Sequence, residues 1–500
     1  MSLDTPSGGW RHSGGEPAQH MQDVNYPASQ FNAGGTRTGG DGSELGVAIR
    51  SRIAGAAAAR TKQPHLLVVN ARRYDAQRQP GRFLRTSLPV NAGQVLRLPV
   101  SARWLPVAWL AAVLLAACGE KPAPTPLAHD AYVWQRRWQP ALSAALRDSA
   151  DLVGSWRILA GEIDRQGRFE PIAVDRAAIV ASGRPAIPVV RIAAPLATLD
   201  SAMLVADLVA VRGDWPTSTT LEIDHDCGSR QLADYARFLV ALRQALPPGQ
   251  RLLITVLPDW LGARELDGLL ATVDEVVLQL HSLDKQARSL FDAAGARAWT
   301  ASLARRTDKP FRVALPNYGS RVVLDGQGRI AAIESEVPID GGRLGAVRGE
   351  DRELFAAPAT VSAFLRWLEE TSPRHFAGVV WFRLPLTGDQ RAWTPATWRA
   401  VITHRETPVR LAGELQSSDQ PGRQTVVLRN AGAMDGTLPA ALVVKAPCRG
   451  IAGSNGYVLE REGDESVFLR RQNALLRVGG QVIVGLVECR GGTVRVRIDE

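Results

Sequence analysis

The residues best equipped for chemistry in this 500-residue chain are three acids at every second position of one strongly apolar run: Glu222, Asp224 and Asp226 in TTLEIDHDC. Side chains alternate along a strand, so the three share one face while Leu221 and Ile223 take the other. Carboxylates crowded on one face raise one another's pKa, and one of them can then keep a proton near neutral pH and donate it. That is what a glycosidic oxygen needs in order to leave, which makes Asp226 the candidate general acid, with Asp224 orienting and tuning it and Glu222 as the third catalytic carboxylate of the series. A second carboxylate, as nucleophile or base, would come from Glu162, Asp164 or Asp259 unless the substrate supplies its own. The competing reading of the series is an ion-pair network with Arg191, Arg312 and Arg383.

Other side chains fit a sugar site. Gln279 and His281 stand at the end of one β-rich run and Trp381 and Arg383 at the end of another. Trp134, Trp260 and Trp381 could stack on pyranose rings or fill the core. Asn317, Tyr318 and Arg383 could hydrogen-bond hydroxyls or carboxylates, though LPNYGS also suits a turn. Asp389 reads as a helix cap or loop residue. A metal-dependent hydrolase using Glu222, Asp224, Asp226 and His281 ranks last, because no compact ligand spacing accompanies them; no metal and no cofactor is expected.

These residues need a scaffold that delivers strand ends to one place. Eight β-rich runs begin at AYVWQR, SWRILAGEID, IPVVRIAAP, TTLEIDHDC, RLLITVLPDWL, EVVLQLHSL, FRVALPNYGS and GVVWFRLP. Between several of them lie helical periodicities, as in Leu232, Tyr235, Phe238, Leu239 and Leu242 before a Pro-Pro-Gly stop. This alternation predicts a (β/α)8 TIM-like barrel over 130–404. Parity predicts which face looks into its mouth: Gln279 and His281 with Val277 in the sixth run, Trp381 and Arg383 with Val379 in the eighth. From 405 to 500 the runs are short, alternating and broken by Gly, Pro and Asn, which predicts a C-terminal antiparallel β-sandwich.

The segments LEIDHDCGSRQLADYARFLVALRQALP, LLITVLPDWL, VVLQLHS, KPFRVALPNYGS and GVVWFRLPLTGDQRAW occur in order and resemble an uncharacterised bacterial family, the domain of unknown function numbered 3142, over roughly residues 130–400. A more remote likeness is to chitinase-type (β/α)8 glycoside hydrolases, whose fourth strand ends in Asp-x-Asp-x-Glu. Glu222-x-Asp224-x-Asp226 keeps the spacing but places Asp226, one methylene shorter, where that pattern has its acid. Trp381 resembles the Trp that floors the sugar subsite of those enzymes.

The net charge of +9 does not point to nucleic acid, because residues 1–100 carry twelve Lys/Arg against six Asp/Glu. That stretch is rich in Gly, Ser, Gln and Arg, and its composition predicts disorder over 1–99, an extension upstream of the true start. The apolar run from Trp104 to Ala117 suits a signal segment (100–117), and Leu115-Ala116-Ala117-Cys118-Gly119 resembles the lipobox of bacterial lipoproteins. Cys118 would then carry the lipid, with 118–129 as tether. Cys448 and Cys489 could pair in an oxidising periplasm, leaving Cys227 over. The sequence thus predicts an envelope lipoprotein, on the outer membrane facing the periplasm, that hydrolyses a glycan by carboxylate catalysis. Its rival is a non-catalytic glycan-binding or envelope-scaffold lipoprotein.

Overall fold

Each of the eight β-rich runs forms a strand, because its outward residues are large and apolar and its inward ones meet partners across a closed lumen. The computed structural model describes residues 126–281, 289–335, 350–445, 447–462, 465–490 and 496–499. The strands are β1 (His129–Val133), β2 (Ser155–Ile163), β3 (Ala186–Ile192), β4 (Thr220–Asp224), β5 (Arg251–Val256), β6 (Glu275–Gln279), β7 (Phe311–Pro316) and β8 (Phe376–Phe382). All pair in parallel with their neighbours in sequence, and β1 pairs with both β2 and β8, which closes the barrel. Helices alternate with them: α1 (Pro140–Asp148), α2 (Arg176–Ala181), α3 (Ser201–Gly213), α4 (Leu232–Ala245), α5 (Leu266–Thr272), α6 (Ala293–Arg306), α7 (Pro358–Thr371) and α8 (Pro395–Ile402). The five apolar residues that predict α4 are all buried, and Asp200 caps α3 by accepting from Ala202 and Met203 N–H.

Two cores result. Ile223, Leu252, Ile254, Leu278, Leu315 and Trp381 belong to the layer shared with the helices, whereas Tyr132, Trp134, Leu159, Val189, Val277, Ala314 and Val380 form the lumen cluster, with Phe382 against it. On β4 and β6 the faces fall as parity predicts. On β8 they are reversed: Val380 and Phe382 point inward and Trp381 outward. Trp381 packs against His129, Trp393 and Trp398 and donates its indole N–H to His129 Nδ1 at 3.2 Å. Polarity at Arg383 misleads, because the strand ends at Phe382 and alternation does not extend past it.

The lower lumen is charged. Arg157, 1% exposed, donates to Asp130 Oδ2 at 3.0 Å, to Glu275 Oε1 at 2.9 Å and to Glu222 Oε2. Glu222 is wholly buried and also accepts from the Tyr132 hydroxyl. Arg312 completes the set, 3.1 Å from Glu275 and 3.5 Å from Asp130. Gly378, at φ 139°, makes room for it; a Cβ there would collide with Arg312 Nη1 and Ala128 O.

Between β7 and α7 a three-stranded antiparallel sheet is inserted, Gly319–Leu324 flanked by Ile330–Glu334 and Glu350–Phe355. After α8 come two four-stranded antiparallel sheets. One orders β9 (Leu411–Ser417), β10 (Arg423–Asn430), β15 (Gln481–Cys489) and β12 (Cys448–Gly453); the other β13 (Tyr457–Glu462), β14 (Glu465–Arg470), β11 (Ala441–Val444) and β16 (Val496–Asp499). Val426, Leu428 and Val487 from the first share a core with Leu442, Val444 and Phe468 from the second, as in a sandwich. Cys448 and Cys489, directly opposite on β12 and β15, are bridged, and Cys227 is free and buried. Asp435 ties these sheets to the barrel by accepting from Thr394 N–H at 2.7 Å, and Arg477 donates to Ala392 O at 2.9 Å.

Replacing Arg157 by Leu leaves three buried carboxylates short of a cation and is expected to cost about 3–5 kcal/mol. Arg251, half-exposed beside Glu275 at 3.1 Å, should cost under about 1 kcal/mol when replaced by Ala. Chemical denaturation of both variants checks this; equal losses would mean that Arg157 is not the organising charge.

Candidate active site

The mouth is built on the C-terminal strand ends. The chain stays extended past β4, so Asp226 remains on the face of Asp224 while His225 turns outward, its Nδ1 3.0 Å from Ile192 O and its ring against Tyr235. Burial pushes the His225 pKa down to about 4, so it is neutral and donates from Nδ1. Cys227 O then accepts from Trp260 Nε1 at 2.8 Å, and Gln231 Oε1 accepts from Gly228 N–H at 3.1 Å, turning the chain toward α4.

Asp224 is buried and accepts from Thr255 Oγ1 at 2.8 Å. Gln279 Nε2 lies 3.3 Å from Asp224 Oδ1 and 3.4 Å from Asp226 Oδ1, so one amide holds two carboxylates side by side. Asp226 is the more open of the two, half-buried where Asp224 is covered. Burial and the neighbouring Asp226 charge raise Asp224 to about 7, against the pull of Arg191, whose Nε is 4.0 Å away. Burial also raises Asp226, opposed by Arg191 and Gln279. The pair titrates as a unit and retains a proton near neutral pH.

Aromatic rings wall the opposite side. Phe382 is the hub, with ring centroids 5.2 Å from Trp134, 5.5 Å from His281, 5.6 Å from Tyr318 and 5.7 Å from Tyr132. Burial lowers the His281 pKa to about 4, so this imidazole is neutral. Arg383 donates to Asp389 Oδ2 at 2.8 Å, and Asp389 Oδ1 accepts from Arg391 and Ala392 N–H, so Asp389 both shapes its loop and partners the arginine. Asn317 lies at the adjacent end of β7, wholly buried.

Gln279 thus joins Asp224 and Asp226, while Trp134, His281 and Tyr318 gather on Phe382, and Asn317 and Arg383 follow the adjacent ends of β7 and β8, buried. Three expectations are corrected. Glu222 lies a layer below the mouth, held by Arg157 and Tyr132, because a carboxylate that deep needs a charge partner more than a substrate. Trp381 faces the helices, and Trp260 is a core residue held by Cys227 O. The ion-pair alternative therefore applies fully to Glu222, but through Arg157 instead of Arg191, Arg312 or Arg383. Of the second carboxylates, Glu162 is gripped by Arg136 at 2.5 and 2.7 Å. Asp164 closes a hairpin turn by accepting from Gln166 and Arg168 N–H, and Asp259 is exposed. Among the described residues no group of three or more His, Cys, Asp or Glu is placed to hold a metal ion.

Sequence reasoning missed Phe382, Thr255, Tyr132 and Arg157. For Arg157 a signal exists: a lone charge inside an apolar strand, SWRIL, implies an inward partner. Phe382 carries none, since its inward direction follows from the register that pairs Asp130 with Val380.

Fold and site together define the class: a (β/α)8 barrel with a protonatable carboxylate pair at its mouth, followed by antiparallel sheets. Residues 182–387 match the model of the family described as Domain of unknown function (DUF3142). Residues 413–490 match a second domain of unknown function (DUF8456), and residues 1–87, outside the described residues, match the N-terminal Ig-like domain of the uncharacterised protein YfaP. No curated protein matches the chain. Similar solved structures include the spore cortex-lytic enzyme SleL of Bacillus cereus, at 12% identity and TM-score 0.42 over 58% of this chain and 76% of that one. A chitinase of Chromobacterium violaceum is similar at 12% identity and TM-score 0.40 over 55% and 98%, and one of Bacteroides thetaiotaomicron at 11% and 0.39 over 52% and 90%. At these identities the likeness is one of fold.

With Asp224 at about 7 in the native state and near 3.8 when unfolded, the folded chain holds a proton that the unfolded chain has lost across the window between them. Stability therefore falls as pH rises through that window, by on the order of a few kcal/mol. Asp224→Asn should remove this slope, making the variant relatively more stable at pH 8 than at pH 5 in urea unfolding. A difference independent of pH would show that Asp224 is ionised throughout.

Proposed function

We propose that this protein hydrolyses a glycan of the bacterial envelope or a secreted polysaccharide, with Asp226 as general acid and Asp224 as the neighbour that tunes and orients it. The observation that carries the reading is the pairing of the two carboxylates on Gln279 Nε2 at 3.3 and 3.4 Å, opposite an aromatic wall. In the proposed step the Asp226 proton passes to the glycosidic oxygen as its bond to C1 breaks. Because Glu162 is gripped by Arg136, the nucleophile at C1 comes from the substrate itself, as the carbonyl oxygen of a neighbouring 2-acylamino group, and water then completes hydrolysis. Phe382, only partly buried, offers an apolar face to a pyranose ring, backed by the buried Trp134.

Asp226→Asn keeps the shape and removes the acid. Against a panel of envelope and exopolysaccharide glycans it should lower turnover by about 100-fold or more while leaving binding largely intact. The rival, a non-catalytic glycan-binding or envelope-scaffold protein, is favoured by Arg191, which works against protonation of the pair. A wild type that cleaves nothing on the panel, yet binds one of its glycans as tightly as the variant, decides for the rival.

We place the protein, as part of the same proposal, on the periplasmic face of the outer membrane, anchored by lipid on Cys118. Cys118 lies outside the described residues; its support is the apolar run that ends in Leu-Ala-Ala-Cys-Gly. The Cys448–Cys489 bridge is consistent with an oxidising compartment. Expression with Cys118→Ala should release the protein from membranes, and a variant still retained after a carbonate wash would refute the anchor.

A further inference from the structure

Three neighbouring strand ends, β6, β7 and β8, carry buried polar groups left unsatisfied among the described residues. Arg383, after β8, is 3% exposed. Its Nη2 donates to Asp389 Oδ2 at 2.8 Å and to Ser335 O at 3.3 Å, but Nε and Nη1 have no partner. Asn317, after β7, is wholly buried with neither atom of its side-chain amide bonded. It adjoins Arg383, since Pro316 pairs with Phe382 and Asn317 N–H donates to Phe382 O at 3.2 Å. His281, after β6, has an unbonded Nδ1, and its ring stacks on Phe382.

Buried donors without acceptors are costly, and several in one neighbourhood imply that something else completes them. The set is rich in donors and holds a guanidinium only partly engaged by a carboxylate, so its complement is an acceptor-rich anion. A planar carboxylate suits a guanidinium best among the anionic groups a sugar can carry in its own skeleton. In the eight-stranded order β8 stands opposite β4, so an anion at Arg383 would lie across the lumen from Asp224 and Asp226 instead of against them.

We propose that Arg383, with Asn317 and His281, forms a subsite for a carboxylate on the substrate, so that the glycan recognised is an acidic one. This rests on the glycan reading of the same mouth and narrows its substrate class. The carboxylate belongs to a uronic acid or to a lactyl ether on an amino sugar; both present the same ion to Arg383.

Calorimetric titration of the full chain, carrying Asp226→Asn so that no ligand is consumed, uses three probes. They are a uronic-acid oligosaccharide, a muramic-acid-containing oligosaccharide and a neutral oligosaccharide of N-acetylglucosamine. One acidic probe should bind at least about tenfold more tightly than the neutral one, and the probe that does so identifies the source of the carboxylate. Arg383→Met should erase that preference, lowering affinity for the acidic probe at least about tenfold more than for the neutral one. Asp389→Asn, which removes the competing carboxylate, should sharpen the preference and carries the test if Arg383→Met does not fold. Equal affinity for acidic and neutral probes, or equal loss of both in Arg383→Met, overturns the subsite. Binding of the neutral probe alone overturns the subsite and leaves the glycan reading standing, whereas no binding of any probe overturns both.

Discussion

The structure turns on one buried cation. Arg157 stands inside the barrel within hydrogen-bonding distance of Asp130, Glu222 and Glu275, three acids contributed by three different strands. Burial alone would depress its charge, but the surrounding carboxylates outweigh burial and hold it protonated. Burial alone would likewise raise Glu275, yet Arg157 and Arg312 keep it below the usual range. None of these charges is tolerable without the others in a lumen closed to water, so the network constrains how β1, β2, β4 and β6 meet. A one-residue slip of β4 would put Ile223 against Arg157 and turn Glu222 into the apolar helix layer.

Fixing β4 fixes the mouth. With Glu222 committed to Arg157, alternation carries Asp224 and Asp226 upward to the strand end, where Thr255 and Gln279 meet them. The two ends of one strand thus differ in how closely a counter-charge meets them. Below, each carboxylate has a cation in contact; above, Arg191 is shared with Glu162 and stands 4.0 Å from Asp224. Burial therefore prevails at Asp224 and Asp226, joined at Asp224 by the Asp226 charge, and the pair keeps a proton. The same residue type is ion-paired below and bridged by an amide above, according to how near its counter-charge lies.

The C-terminal sheets bear on the mouth indirectly. Their Asp435 and Arg477 hold the segment between β8 and α8, which also carries Asp389, the partner of Arg383. The loop that presents Arg383 is thereby braced from two sides, by α8 through Thr394 and by the sheets.

The amino-acid sequence by itself determined what rests on local periodicity. The alternation of eight β-rich runs with helical ones defines the barrel, the spacing of Leu232, Tyr235, Phe238, Leu239 and Leu242 defines α4, and the every-second-residue series delivers Asp224 and Asp226 to one face. Tertiary structure alone decided what depends on register between distant strands. Whether Trp381 or Phe382 enters the lumen follows from β8 meeting β1 at Asp130 and Val380, which no property of GVVWFRLP encodes. The separation of Glu222 from its two neighbours follows from Arg157, 65 residues away in sequence, and the union of Asp224 and Asp226 from Gln279, more than fifty residues away. Local sequence sets which way a side chain can point; only the closed barrel sets what it meets there.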